Sequence, residues 1–231
     1  MEAQPDFLRL DETRGVRLQL EYLEVELALK KHQIRDTITI FGSTRTLPGT
    51  RYYEEARRFG SLAARAGYAV LTGGGPGVME AANRGAFEAG GPSIGMNITL
   101  PDGQPSNPYV TPGLSFRFRY FALRKLHFLL RARALVAFPG GYGTFDELFE
   151  TLMLVQTRKI KPLPVVLVGE AYWRRAFDAD FLVSEGMLEP GDLDLFSHAQ
   201  SAEEAWTHIV AWHRKAGQPL VPAVRPAALA T

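Results

Sequence analysis

Between residues 12 and 31, Val16, Leu20, Leu23 and Leu27 recur at spacings of three and four, the period of one helical face. The pattern predicts an amphipathic helix within 10–34, ahead of the rest of the chain. After it the period changes. TITIF at 37–41 reads as a strand, 52–66 as a helix stopped by Gly67, and YAVL at 68–71 as a second strand, which together make a βαβ unit. The alternation continues with a helix over 76–89, the strand SIGMNI at 93–98, a loop rich in proline and glycine over 99–114, and a helix over 115–133. The strand ALVAF at 134–138, a helix over 144–157, the strand PVVLV at 164–168, and helices near 170–184 and 201–215 complete the series. Short apolar strands separated by helices imply a parallel sheet covered on both faces. The fold class is therefore α/β, a Rossmann-like doubly wound parallel sheet with an extra N-terminal helix. One domain over 1–231 is expected, with its core at 37–215 and a mobile tail at 218–231, where proline and alanine follow one another without period.

Composition narrows what such a fold does. At 231 residues and 46% hydrophobic content the chain can bury a sizeable core. Its 26 basic and 25 acidic residues leave a net charge of +1, which gives no electrostatic footprint for nucleic acid or an acidic membrane. An anionic ligand must be held by a local site. There is no cysteine, which excludes disulfides, thiolate metal sites and a cysteine nucleophile. No stretch approaches the roughly 20 apolar residues of a membrane span, and the acidic start MEAQPDF lacks the order of a signal peptide. The expected location is cytoplasmic.

Two glycine-rich segments stand where strands pass into helices. TGGGPGVME at 72–80 follows the second strand, with Pro76 at a favourable first-turn position, and PGGYGTFDE at 139–147 follows the fourth. Glycines let a ligand approach the main chain, and the unpaired amides of a helix start attract an anion. A tight turn with positive φ is the plainer reading of either segment alone. The pair suggests a phosphate held by Gly74, Gly75, Gly140, Gly141, Gly143 and Thr144. FGSTR at 41–45 adds Ser43 after the first strand. With strand order 3-2-1-4-5, Ser43 and Gly140 face one another across the topological switch point.

Other nucleotide motifs are absent. GGGPG is not G-x-G-x-x-G, and the strand after it ends in Asn97 and Ile98 rather than an acid that grips a ribose. No P-loop, G-x-S-x-G or H-E-x-x-H occurs, and the five histidines are scattered. Among chemical groups, Glu147 follows Thr144 by three, so T-x-x-E also reads as a capping box whose carboxylate points back at the turn. Asp146 and Glu150 are weaker candidates. Arg117, Arg124 and Arg131 recur every seven residues on the helix read over 115–133, and a charged stripe among Phe116, Phe118, Phe121 and Phe128 needs partners. Arg124 and Lys125 are the candidates there to meet an anionic or electron-rich ligand.

PGGYGTFDE resembles the PGGxGTxxE signature of the LONELY GUY family, whose older label is lysine decarboxylase-like. GGGPGVMEAANRGA is similar to that family's other glycine segment, and Arg124-Lys125 stands at its arginine-lysine motif. The likeness covers roughly 37–185. It implies a Rossmann-like homo-oligomer that hydrolyses nucleoside 5'-monophosphates to a free base and ribose 5-phosphate, with cytokinin ribotides as the best-known substrates. Carried over, Arg124 and Glu147 are the catalytic pair, and Gly140, Gly141, Gly143 and Thr144 cradle the phosphate; Glu80 and Lys125 are expected beside the base and ribose. Glu80 stands where plant-like members tend to have a small residue, which points to ordinary nucleotides such as AMP. A carboxylate beside the sugar suits a glycosidic bond, whose cleavage builds positive charge on the ribose. No metal or other cofactor is required, and the partner is a small-molecule nucleotide. The alternatives are a non-catalytic nucleotide or cofactor carrier on the same scaffold and, third, the decarboxylase of the older label.

Overall fold

The computed structural model describes residues 7–99, 106–218 and 220. Among the described residues, seven parallel strands form one sheet in the order β4-β3-β2-β1-β5-β6-β7. They are β1 (Thr37–Phe41), β2 (Ala69–Thr72), β3 (Ser93–Ile98), β4 (Ser115–Phe118), β5 (Ala132–Ala137), β6 (Val165–Val168) and β7 (Ser197–Ala199). The helices are α1 (Arg14–Lys31), α2 (Arg51–Arg65), α3 (Val78–Glu88), α4 (Phe121–Leu130), α5 (Tyr142–Gln156), α6 (Glu170–Ala176), α7 (Ala179–Ser184) and α8 (Ala202–Lys215). The five strands read from the sequence take the order inferred for them, and β4 and β7 are added at the edges. The tail read over 218–231 lies, apart from Gln218 and Leu220, outside the described residues.

Strand residues alternate between two cores, so the central strands are apolar on both sides. Ile38, Ile40, Val136 and Val166 pack under α2, α3 and α8, against Phe59, Ala82 and Ile209. Leu71, Leu135 and Leu167 pack on the other face, against Val25 and Leu29 of α1, Phe128 of α4 and Leu148 of α5. Burial of these side chains from water is the main force holding the layers together.

The helix read over 115–133 is two elements. SFRF is β4, with Phe116 and Phe118 buried and Ser115 and Arg117 exposed, a period of two that pairs it with β3. α4 begins only at Phe121. The arginines consequently form no stripe: Arg117 lies in β4, Arg124 in α4, and Arg131 caps the end of α4. Arg131 grips the Glu26 carboxylate of α1 with both nitrogens at 2.7 Å. α1 also departs from its reading, because Val25 and Leu29 are its buried positions while Val16, Leu20, Leu23 and Leu27 face outward.

Candidate functional site

β1 and β5 are neighbours in the middle of the sheet, and the chains leave them in opposite directions, which opens a crevice at their carboxyl ends. The two exits are tied together. Phe138 donates its amide to the Phe41 carbonyl and Ser43 donates its amide to the Pro139 carbonyl, both at 2.9 Å. Ser43 and Gly140 thus line one cleft of about 690 Å³. Its wall includes Gly73 and Met79 from the other glycine turn, and Arg124 and Glu147 from α4 and α5.

The two glycine turns differ in their surroundings. α5 starts at Tyr142 with Gly141 as its N-cap, and no side chain caps it. Thr144 and Phe145 donate their amides to the Gly141 carbonyl, while among the described residues the amides of Gly140, Gly141, Tyr142 and Gly143 find no acceptor. A side chain at Gly141 or Gly143 would meet open space, so a ligand can approach this main chain closely. Open amides at the positive end of a helix dipole are an anion site. Tyr172 of α6 donates its hydroxyl to the Gly140 carbonyl at 2.5 Å and braces the turn from behind.

The turn at 72–77 is instead tied at several points to the protein itself. The Gly74 amide donates to the Thr72 hydroxyl at 3.0 Å, and the Val78 amide at the start of α3 donates to the Ser43 carbonyl at 3.0 Å. Asn107 donates from its amide to the Gly74 carbonyl and from its side chain to the Gly75 carbonyl. The helix cap is Gly77, at φ 74°, which puts Pro76 before the helix rather than in its first turn. Gly74 and Gly75 therefore stand beneath the cleft as a clasp, outside its lining. Gly73 does reach it. A Cβ there would lie 2.6 Å from Arg124 Nη2 and 2.7 Å from Met79 Sδ, so the missing side chain is what lets the guanidinium lie against the turn.

Glu147 sits in α5 with the Gly141 cap six residues before it, so it is not the carboxylate of a capping box at Thr144. It is 7% exposed, lines the cleft, and among the described residues receives no hydrogen bond. Burial pushes its pKa up to about 7, while Arg124 and then Lys125 pull the other way. Arg124 is held by a 2.7 Å bond from Nε to the Met96 carbonyl and lies 5.1 Å over the Phe128 ring. Thr39 bonds the Phe128 carbonyl at 2.7 Å, fixing α4 to the central strand. Arg124 and Glu147 are not in ion-pair contact; each is the first charge to act on the other across the cleft.

Lys125 and Glu80 are not brought to this place. Lys125 turns away from Arg124, bonds Asp146 at 2.8 Å and meets Glu150 at 3.2 Å, and lines a separate groove between α4 and α5. Glu80 accepts a 2.8 Å bond from the Tyr53 hydroxyl in the α2–α3 seam. Both carry their charge into local pairing rather than into the cleft. The sequence reading missed Arg45, an exposed cation at the cleft wall, although it is the last residue of the FGSTR run. It also missed the apolar surface of Met79, Ile98 and Phe121, for which no motif exists. Among the described residues no group of three or more acidic or histidine side chains is arranged to hold a metal ion, and no helix is long and apolar enough to cross a membrane.

Residues 79–209 match a protein family described as "Possible lysine decarboxylase". A cytokinin riboside 5'-monophosphate phosphoribohydrolase of Arabidopsis thaliana is 29% identical over 137 residues, a stretch that spans 58% of this chain and 59% of that protein. The X-ray structure of TM1055, a structural genomics target, superposes with a TM-score of 0.57 at 26% identity, covering 74% of this chain and 96% of that one. The molybdenum cofactor carrier protein of Chlamydomonas reinhardtii superposes with a TM-score of 0.53 at 26% identity over 79% of this chain and 99% of its own. The molybdenum cofactor binding protein of Rippkaea orientalis, at 24% identity and a TM-score of 0.55, covers 77% of this chain and 98% of its own and shares the fold.

Proposed function

Because the chain belongs to the LONELY GUY family, the family of the "Possible lysine decarboxylase" description, we propose that it hydrolyses a nucleoside 5'-monophosphate to a free base and ribose 5-phosphate. The observation that carries this reading is one buried carboxylate, without a hydrogen-bond partner among the described residues, in the same cleft as an uncapped helix start. The phosphate seats on the amides of Gly141, Tyr142 and Gly143, with Arg45 as its counter-charge. That contact lies away from the bond broken and serves to position the sugar. The base rests against Met79, Ile98 and Phe121.

Glu147 then stands over the ribose. In its ionised form it stabilises the positive charge that builds on C1' and takes a proton from the attacking water. Oxygen of that water bonds to C1', the bond from C1' to the base nitrogen breaks, and the base leaves with a proton. A carboxyl with a pKa near 7 is suited to both accept and return a proton at neutral pH. Arg124, fixed by Met96 and desolvated, orients the base and polarises it as it leaves.

Incubation with a panel of nucleoside monophosphates and identification of any liberated base tests the reading. AMP is expected to yield adenine, and Arg124→Ala to reduce kcat by at least about 100-fold, the scale of one lost electrostatic contact to a transition state. The carrier reading is favoured by the superposition on the molybdenum cofactor carrier. A carrier would hold its ligand in this same cleft with no turnover, so ligand retention without base release across the panel would establish that reading instead. Decarboxylation through pyridoxal phosphate needs a lysine beside the ligand. Lys125 is held by Asp146 and Glu150 outside the cleft, and no other lysine occurs between 32 and 158.

A further inference from the structure

Among the described residues, α1 is packed on one side only. Val25 and Leu29 are each 1% exposed, and the Glu26 carboxylate on that side is taken by Arg131. The opposite side carries Val16, Leu20, Leu23 and Leu27 at 44, 48, 41 and 64% exposure. A contiguous apolar stripe on the outside of a helix that already has its packed side marks an interaction surface.

Two features of the stripe specify its occupant. Its steps of four, three and four are the alternating d and a positions of a heptad, the seam along which two helices pack. The sequence is also symmetric in character about the point between residues 21 and 22. Val16 and Leu27 are equally far from that point, as are Leu20 and Leu23, and farther out so are Glu12, in the 3-10 turn just before α1, and Lys31, the last residue of α1, both exposed. A second copy laid antiparallel about this point sets Val16 on Leu27, Leu20 on Leu23, and at each end Glu12 on Lys31. A parallel copy would set Glu12 on Glu12 and Lys31 on Lys31, like charges that repel.

We propose that α1 is a self-association face on which a second copy of the chain seats its own α1 antiparallel, with a two-fold axis between residues 21 and 22. Such a contact is isologous and closes on itself, so it yields a discrete pair rather than a filament. None of its residues lies in the cleft, and the inference stands whether or not the cleft hydrolyses nucleotides.

The natural chain has no cysteine, so introduced thiols report without background. In the antiparallel pair, residue 16 of one copy lies beside residue 27 of the other, but about 16 Å along the axis from residue 16 of that copy. A disulfide needs Cα atoms within about 7 Å. Full-length Val16→Cys and Leu27→Cys chains would be purified alone and after co-expression, oxidised at micromolar concentration, and run without reductant. A linked dimer is expected from the co-expressed pair and not from either variant alone. Linkage of one variant with itself as readily as in the mixture would overturn the arrangement. So would no linkage in the mixture, as from a stripe covered within its own chain or by a different protein.

Discussion

Glu147 has a cost to the fold that its burial explains. A carboxyl whose pKa is about 7 in the folded protein and ordinary in the unfolded chain is protonated preferentially in the folded state. Folding stability is therefore undiminished by this group below the unfolded pKa, falls as pH rises from about 4.5 to 7, and stays reduced above that, by about 3 kcal/mol in all. Glu147→Gln removes that slope. Thermal denaturation is expected to show the variant gaining on the natural protein as pH goes from 4.5 to 8, while base release is lost. A variant less stable than the natural protein at pH 8 would mean the carboxylate is structural. Arg45 bears on binding instead. Arg45→Ala is expected to raise KM for a nucleoside monophosphate about 10-fold with kcat little changed, since a phosphate contact remote from C1' acts equally in ground and transition states.

At the scale of elements, the α1–α4 seam is expected to contribute to the acid limit of the fold. His127 is 2% exposed, stacked 5.2 Å from Tyr22, and among the described residues neither ring nitrogen has a hydrogen-bond partner. Burial lowers its pKa to about 4, partly opposed by Glu26, which lies 3.6 Å away. Here the folded value is below the unfolded one, so the stability is present above pH 6.5 and is lost as pH falls from there toward 4. At pH 5 the loss is about 2 kcal/mol. His127→Phe keeps the ring and removes the proton site, and is expected to shrink the drop in Tm between pH 7.5 and pH 5. An unchanged drop would show that His127 does not set the limit.

The period of two in SFRF was present in the sequence, but the phenylalanines around it also satisfied a helical period, and only pairing with β3 decides between them. T-x-x-E read as a capping box because Thr144 suits an N-cap, yet α5 starts earlier, at Tyr142, where Gly141 leaves the amides open. The two glycine turns look alike in sequence. They diverge because Ser43 and Asn107 reach the one at 72–77 and the start of α3 from elsewhere in the fold, and long-range contacts of that kind carry no local signal.

Over the whole molecule, the strand order β3-β2-β1-β5-β6 puts the chain reversal between β1 and β5, and everything proposed for the cleft follows from that one topological fact. This much was legible, because short apolar strands and the turn residues after them mark the sheet's carboxyl edge directly. Arg124 and Glu147 were legible as residue types in a motif. Their separation from Lys125 and Glu80 was not, since it depends on which side of α4 and α3 meets the crevice. The outward stripe of α1 was legible as a stripe but not as exposed, because periodicity does not say which face a fold covers.

The catalytic role of Glu147 is decided by quantifying adenine released from AMP by the natural protein and by Glu147→Gln, at pH 7.5 and with folding checked by circular dichroism. The account requires steady release by the natural protein and a rate at least about 1,000-fold lower for the folded variant, the scale expected when an essential acid-base group is removed. A folded variant that releases adenine at the natural rate would contradict it.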